Sequence, residues 1–144
     1  PTVDLLSTEQ VIPPEVVRCA LALETDVKTI CHTMIFYADG RPAMYTQDFL
    51  PLHLAGEYDL SEEGEGFMRY LDRASGVRVE YVLVDISPVE AAGEVARAFL
   101  CQPGTPLLLM KETFMDGAQS IPVCFSLNYF NQEVLSFRLL TRRG

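Results

Sequence analysis

Two kinds of apolar spacing alternate along the chain. Residues 27–37 alternate as a strand does, with Ile30, His32, Met34 and Phe36 on one face and Val27, Cys31, Ile35 and Tyr37 on the other. Both faces are mostly apolar, which predicts a central strand. After the turn pair Asp39-Gly40, residues 43–50 return and set Met44, Thr46 and Asp48 on one face. Ahead of this hairpin, residues 1–6 predict a short strand and 7–13 connecting chain. Residues 14–23 predict a helix that opens on Pro14 and turns Val17, Ala20 and Leu21 inward.

Residues 51–66 are irregular and acidic (Glu57, Asp59, Glu62, Glu63 and Glu65), as in a solvated loop. Phe67, Tyr70, Leu71 and Ala74 then recur at helical spacing up to Ser75-Gly76, and 77–86 reads as a strand. Ser87, Pro88 and Glu90 carry the signature of a helix start, and Val89, Ala92, Ala96 and Phe99 extend it, predicting a helix over 88–100. Gln102-Pro103-Gly104 ends it. Residues 107–114 form an apolar strand, Asp116-Gly117 a turn, 121–130 the returning strand, and 134–140 a last strand closing the sheet.

The helix and hairpin therefore occur twice. Residues 42–50 (PAMYTQDFL) can be laid on 122–130 (PVCFSLNYF), so that Ala meets Val, Met meets Cys, Tyr meets Phe, Thr meets Ser, Asp meets Asn and Phe meets Tyr. This predicts an α+β fold: a largely antiparallel sheet with helices packed against it, built from pseudo-duplicated helix-hairpin units. A solenoid would need more and shorter repeats.

Composition narrows the function. The 144 residues suit a single domain, and 49% hydrophobic against 22% charged residues predict a well-filled core with surface left for a partner chain. A net charge of −9 argues against direct contact with a phosphate backbone. There is no apolar run of membrane-spanning length, and no signal peptide is visible. Cys19, Cys31, Cys101 and Cys124 show no metal-ligand spacing and lie beside apolar segments, which predicts buried free thiols in a reducing, cytoplasmic setting, no metal and no cofactor. Pro1 at the start suggests a piece of a longer protein. His32 reads as a core or pocket-wall residue, His53 as a surface one, Cys124 as an inert thiol, and Asp39 and Asp116 as turn formers. No catalytic constellation emerges.

Three features carry a resemblance to a known family. They are Asp39-Gly-Arg-Pro42 leading to YTQDFLP (residues 45–51), the run AAGEVARAFLCQPGTPLLLM (91–110), and the acidic turn with its second hairpin running to Phe137. Together they resemble the UTRA effector-sensing domain of GntR-type bacterial transcription regulators of the HutC subfamily, with a chorismate-lyase-like fold. The resemblance implies a single effector-sensing domain over 1–144. It also implies a winged-helix DNA-binding domain upstream, absent from this chain, a small-molecule effector and a homodimer, with DNA reached only through the missing domain. An enzyme of lyase type on the same fold, acting on chorismate or a related acid, is the alternative. A dimerisation domain without ligand is another.

In sugar-phosphate sensors of that family two arginines on the first long strand grip the phosphate; their positions match Met34 and Phe36 here. Other polar contacts fall at Thr46, Cys124, Gly66 and Met68. The charged grip is gone, so the expected effector is not phosphorylated. The expected ligand-binding set is a wall of Met34, Phe36, Met68, Cys124 and Phe130, with His32, Thr46 and Ser126 orienting the ligand. The alternative is that these side chains fill the space as core.

Overall fold

In chain order the elements are β1 (Thr2–Val11), α1 (Glu15–Ala20), β2 (Thr29–Ala38), β3 (Arg41–Pro51), a 3-10 turn (Leu52–Leu54), α2 (Glu65–Ser75), β4 (Val79–Glu90), α3 (Gly93–Ala98), β5 (Pro106–Asp116) and β6 (Ile121–Phe130). This computed structural model describes residues 1–54, 65–76 and 78–144, and within α2 the side chains of Glu65, Met68 and Ala74 are outside the description. Most of the expected acidic loop at 51–66 therefore lies outside the described residues.

The strands form one sheet in the order β1-β2-β3-β6-β5-β4, every neighbouring pair antiparallel. The middle pair, β3 with β6, joins the two halves of the chain. In the superposition of 42–50 on 122–130, Gln47 falls on Leu127, and in the sheet Gln47 pairs with Leu127 itself. A pseudo-two-fold axis therefore passes through that pair. Local details obey it. The β2–β3 ladder slips at Ala43, next to Pro42, and the β5–β6 ladder slips at Val123, next to Pro122. Proline has no N–H for the ladder, so an extra residue is accommodated beside it. The short helices also end alike. Ala22 (φ 52°) and Leu100 (φ 54°) turn left-handed, and the next amides, Leu23 and Cys101, reach back to the carbonyls of Arg18 and Ala96 at 3.0 and 3.1 Å.

The two faces of the sheet have different covers. On one, α1 sets Val17 and Leu21 on Cys31, Phe49, Phe125 and Leu127, while α3 sets Ala96 and Phe99 near Tyr45 and Leu107. On the other, α2 packs Tyr70 and Leu71 on Leu50, Phe114 and Cys124. His32 helps hold α2 there: its Nδ1 lies 3.0 Å from the Thr8 hydroxyl and its Nε2 lies 3.4 Å from the Tyr70 hydroxyl.

Four expectations need correction. The helix over 88–100 is confined to α3, because β4 continues through Ser87, Pro88 and Glu90 and pairs with β5. As an edge strand β4 tolerates a proline, and pairing with Leu107 and Leu108 outweighs the local helix-start signature. β1 runs to Val11, past the expected end at residue 6, since an edge strand needs ladder partners more than apolar side chains. Residues 134–140 form no strand: β6 is already flanked on both sides, and Leu139 and Leu140 are exposed. Cys19 is exposed and Cys101 half-buried, leaving Cys31 and Cys124 as the buried thiols. In addition, β2 is an interior strand but not one of the middle pair.

Burial lowers the pKa of His32 from 6.5 to about 4. The unfolded chain takes up the proton first, so the fold loses stability as pH falls from 6.5 towards about 4, by up to about 3 kcal/mol. Chemical denaturation of wild type and His32→Gln across that window should show the wild type falling more steeply. Parallel pH profiles would mean that His32 titrates as it does in the unfolded chain.

Candidate functional site

Alternation along the middle strands sends Tyr45, Gln47 and Phe49 towards α1 and α3, and Met44, Thr46 and Asp48 towards α2. On β6, Ser126 and Asn128 face α2 with them. Pairing sets Thr46 opposite Asn128 and Asp48 opposite Ser126. The duplicated Thr-x-Asp and Ser-x-Asn segments thus meet head to tail around the two-fold axis, making one polar patch from four side chains. The flanking strands add another symmetric pair, Phe36 and Phe114, and an asymmetric one: Met34 beside Thr46, and Glu112 beside Ser126.

Above this patch is a cavity of about 200 Å³, lined by Met34, Phe36, Met44, Thr46, Asp48, Phe67, Glu112, Phe114, Ser126 and Asn128. Phe67 belongs to α2 and meets Phe114 edge to face at 5.5 Å. The polar groups are linked: Ser126 donates to Asp48 Oδ1, and Asn128 Nδ2 donates to Glu112 Oε1 at 2.7 Å. Burial raises the Glu112 carboxyl above its ordinary value, and the Asn128 amide offsets part of that. The Thr46 hydroxyl is different. It is 4% exposed and has no hydrogen-bond partner among the described residues. A buried hydroxyl left without a partner costs about 1–3 kcal/mol, so one facing a cavity marks a position a ligand can satisfy.

Of the expected ligand-binding residues, Met34, Phe36, Thr46 and Ser126 line this cavity. His32 sits one strand over from Asp48, engaged by Thr8 and Tyr70. Cys124 is wholly buried in the core with Leu50, Tyr70 and Phe114, where desolvation holds its thiol well above the usual range. Phe130 packs edge to face on Phe137, 4.6 Å away, near the end of the sheet. None of these three lines the cavity, and the side chain of Met68 lies outside the described residues. The residues not anticipated are Met44, Asp48, Phe67, Glu112, Phe114 and Asn128. Two of them had a signal in the chain: Asn128 occupies the place of Asp48 in the repeat, and Glu112 is a carboxylate following the apolar run Leu107–Met110 and sharing the strand face of Phe114.

A larger groove of about 780 Å³ lies on the opposite face between α1 and α3, where the Tyr45 hydroxyl donates to Glu94 Oε2 at 3.3 Å. The smaller cavity is the better candidate because deeply buried polar groups converge on it. Its described lining contains no histidine, cysteine, lysine or arginine, so it offers carboxylates, an amide and hydroxyls for binding rather than a nucleophile with its base.

Comparison with known proteins agrees with this architecture. No curated protein matches the chain. A GntR-family transcriptional regulator from Enterococcus faecalis V583 superimposes with a TM-score of 0.83 at 19% identity, over 97% of this chain and 100% of that one. A Streptomyces coelicolor chain named as a transcriptional regulator gives 0.85 at 24% identity, over 99% and 95%. A Bordetella bronchiseptica chain named as the ligand-binding domain of a GntR-family regulator gives 0.82 at 17%, over 98% and 90%. These likenesses establish a shared fold. The profile of the UTRA domain matches residues 1–136, which is nearly the whole chain, and with its duplicated hairpins and central cavity the chain belongs to the UTRA domain family.

Proposed function

We propose that this domain senses a small-molecule effector and dimerises within a bacterial transcription regulator of the GntR family, HutC subfamily, and that it is not an enzyme. The observation that carries the reading is the cavity at the two-fold axis, where a buried hydroxyl awaits a partner. DNA would be contacted only by an upstream winged-helix domain, since a net charge of −9 repels phosphate. The effector is not phosphorylated: the described lining has no lysine or arginine to meet a dianion. The same lack weighs against a lyase acting on a dicarboxylate. Among the described residues no helix is long and apolar enough to cross a membrane, in keeping with a cytoplasmic regulator.

The homodimer reading draws on β4. This long edge strand exposes Tyr81, Leu83, Val84 and Ile86 over both of its faces. An apolar edge of that length invites pairing or cover. Native mass spectrometry at low micromolar concentration should find a dimer, and Leu83→Lys with Ile86→Lys should weaken it about a hundredfold or more. An unaltered dimer in the double variant would place the interface elsewhere.

Thr46→Val tests the site. The isosteric change removes the orphan hydroxyl, so the ligand-free domain should gain about 1 kcal/mol in denaturant unfolding. In the full-length regulator the same change should blunt the effector's influence on operator DNA, read by fluorescence anisotropy with a metabolite extract. Unchanged stability together with an unchanged response would remove this cavity from the account.

A further inference from the structure

We propose that the central cavity takes a small organic cation, an ammonium or amidinium group carried on a short apolar or aromatic body. The proposal rests on the reading of this cavity as the effector site and adds the sign of the ligand's charge. Asp48 and Glu112 stand on either side of Ser126 in one cross-strand row, two strand spacings or about 10 Å apart. Among the described residues no basic side chain lines the cavity. Lys111 alternates onto the opposite face of β5, and Arg69 and Arg73 of α2 are exposed. Residues 55–64 (AGEYDLSEEG) contain no lysine, arginine or histidine and so supply no counter-charge.

The two acids alone would not define a site, but Thr46 supplies an independent indication. Its hydroxyl is buried, on the cavity wall and without a hydrogen-bond partner among the described residues, two residue pairs along β3 and β6 from the Asp48–Ser126 pair. A threonine oxygen accepts from an N–H, and a carboxylate has lone pairs for several donors, so a cationic head group seated at Thr46 suits a cavity flanked by the two acids. The remaining wall suits the same class. Phe36, Phe67 and Phe114 present aromatic surface, which attracts cations through the ring quadrupole. At about 200 Å³ the cavity is smaller than the range of about 300–1,000 Å³ for drug-sized ligands, which limits the occupant to a compact molecule. An anion would meet two carboxylates at short range.

The test uses matched probes on the purified chain at neutral pH. Benzylamine is compared with benzyl alcohol and benzoate, butylamine with butanol and butyrate, and choline, magnesium and calcium are added singly. Thermal shift and calorimetry should show stabilisation by one or more of the organic cations and none by their neutral or anionic counterparts. Asp48→Asn and Glu112→Gln should each weaken that binding about tenfold or more. Glu112→Gln should also raise the melting temperature of the ligand-free domain by a few degrees, because a half-buried, partly desolvated carboxylate is relieved. Preference for an alcohol, a carboxylate or a divalent metal would overturn the proposal, as would an organic-cation response unmoved in both variants. A lower melting temperature in Glu112→Gln would make that carboxylate a structural group and also overturn it. Silence from every probe of every charge would instead sink the effector-site reading beneath it.

Discussion

The antiparallel pairing of β3 with β6 is the constraint on which the rest of the structure depends. It joins the two helix-hairpin halves into one sheet, and its register places Gln47 against Leu127 on the pseudo-two-fold axis. A slip of one residue would turn every side chain of a strand to the opposite face. Thr46 and Asp48 would then point at α1 and α3, and Phe49 would lose its place beside Val17 and Leu21. Core and site are therefore specified by the same hydrogen-bond ladder. The matched irregularities at Ala43 and Val123 keep that register in both hairpins.

Duplication also explains where the polar groups lie. A two-fold axis running through the middle of a sheet brings equivalent residues together, so a polar pair present once in each half becomes a cluster of four. Departures from symmetry tune the cluster. Glu112 stands where the first half has Met34, and α2 contributes Phe67 without a counterpart from the other half among the described residues. Sensing then needs no elaborate machinery. A ligand seated between β3, β6 and α2 bridges elements from both halves, and the cover helix is tied to the sheet through His32 and Tyr70. An occupant that binds one arrangement of this helix better than another shifts it, and with it the surface the helix presents.

Much of the fold is legible in the chain because its strongest signals are periodic. Alternation over 27–37 and 43–50, and the likeness of 42–50 to 122–130, specify hairpins, their facing residues and their duplication. The errors come where local chemistry and long-range pairing disagree. Ser87-Pro88 has the composition of a helix start, yet cross-strand partners on β5 keep it extended. Thr8, Glu9 and Gln10 look like connecting chain, yet β2 recruits them as an edge. The site is half legible for a related reason. Parity along a strand shows that Thr46 and Asp48 share a face, but which strand lies beside β3 depends on chain topology. Without the β3–β6 register, Asn128 and Glu112 cannot be set beside them, whereas Cys124 and Phe130 look equally suitable although they serve packing.

Hydrogen–deuterium exchange of the domain with and without a stabilising amine locates the bound ligand on one face of the sheet or the other. Slowed exchange is expected in β3 around Thr46 and Asp48, in β6 around Ser126 and Asn128, and in α2, with little change between α1 and α3. Protection confined to the opposite groove, around Pro14, Glu94 and Arg97, would contradict that placement of the site.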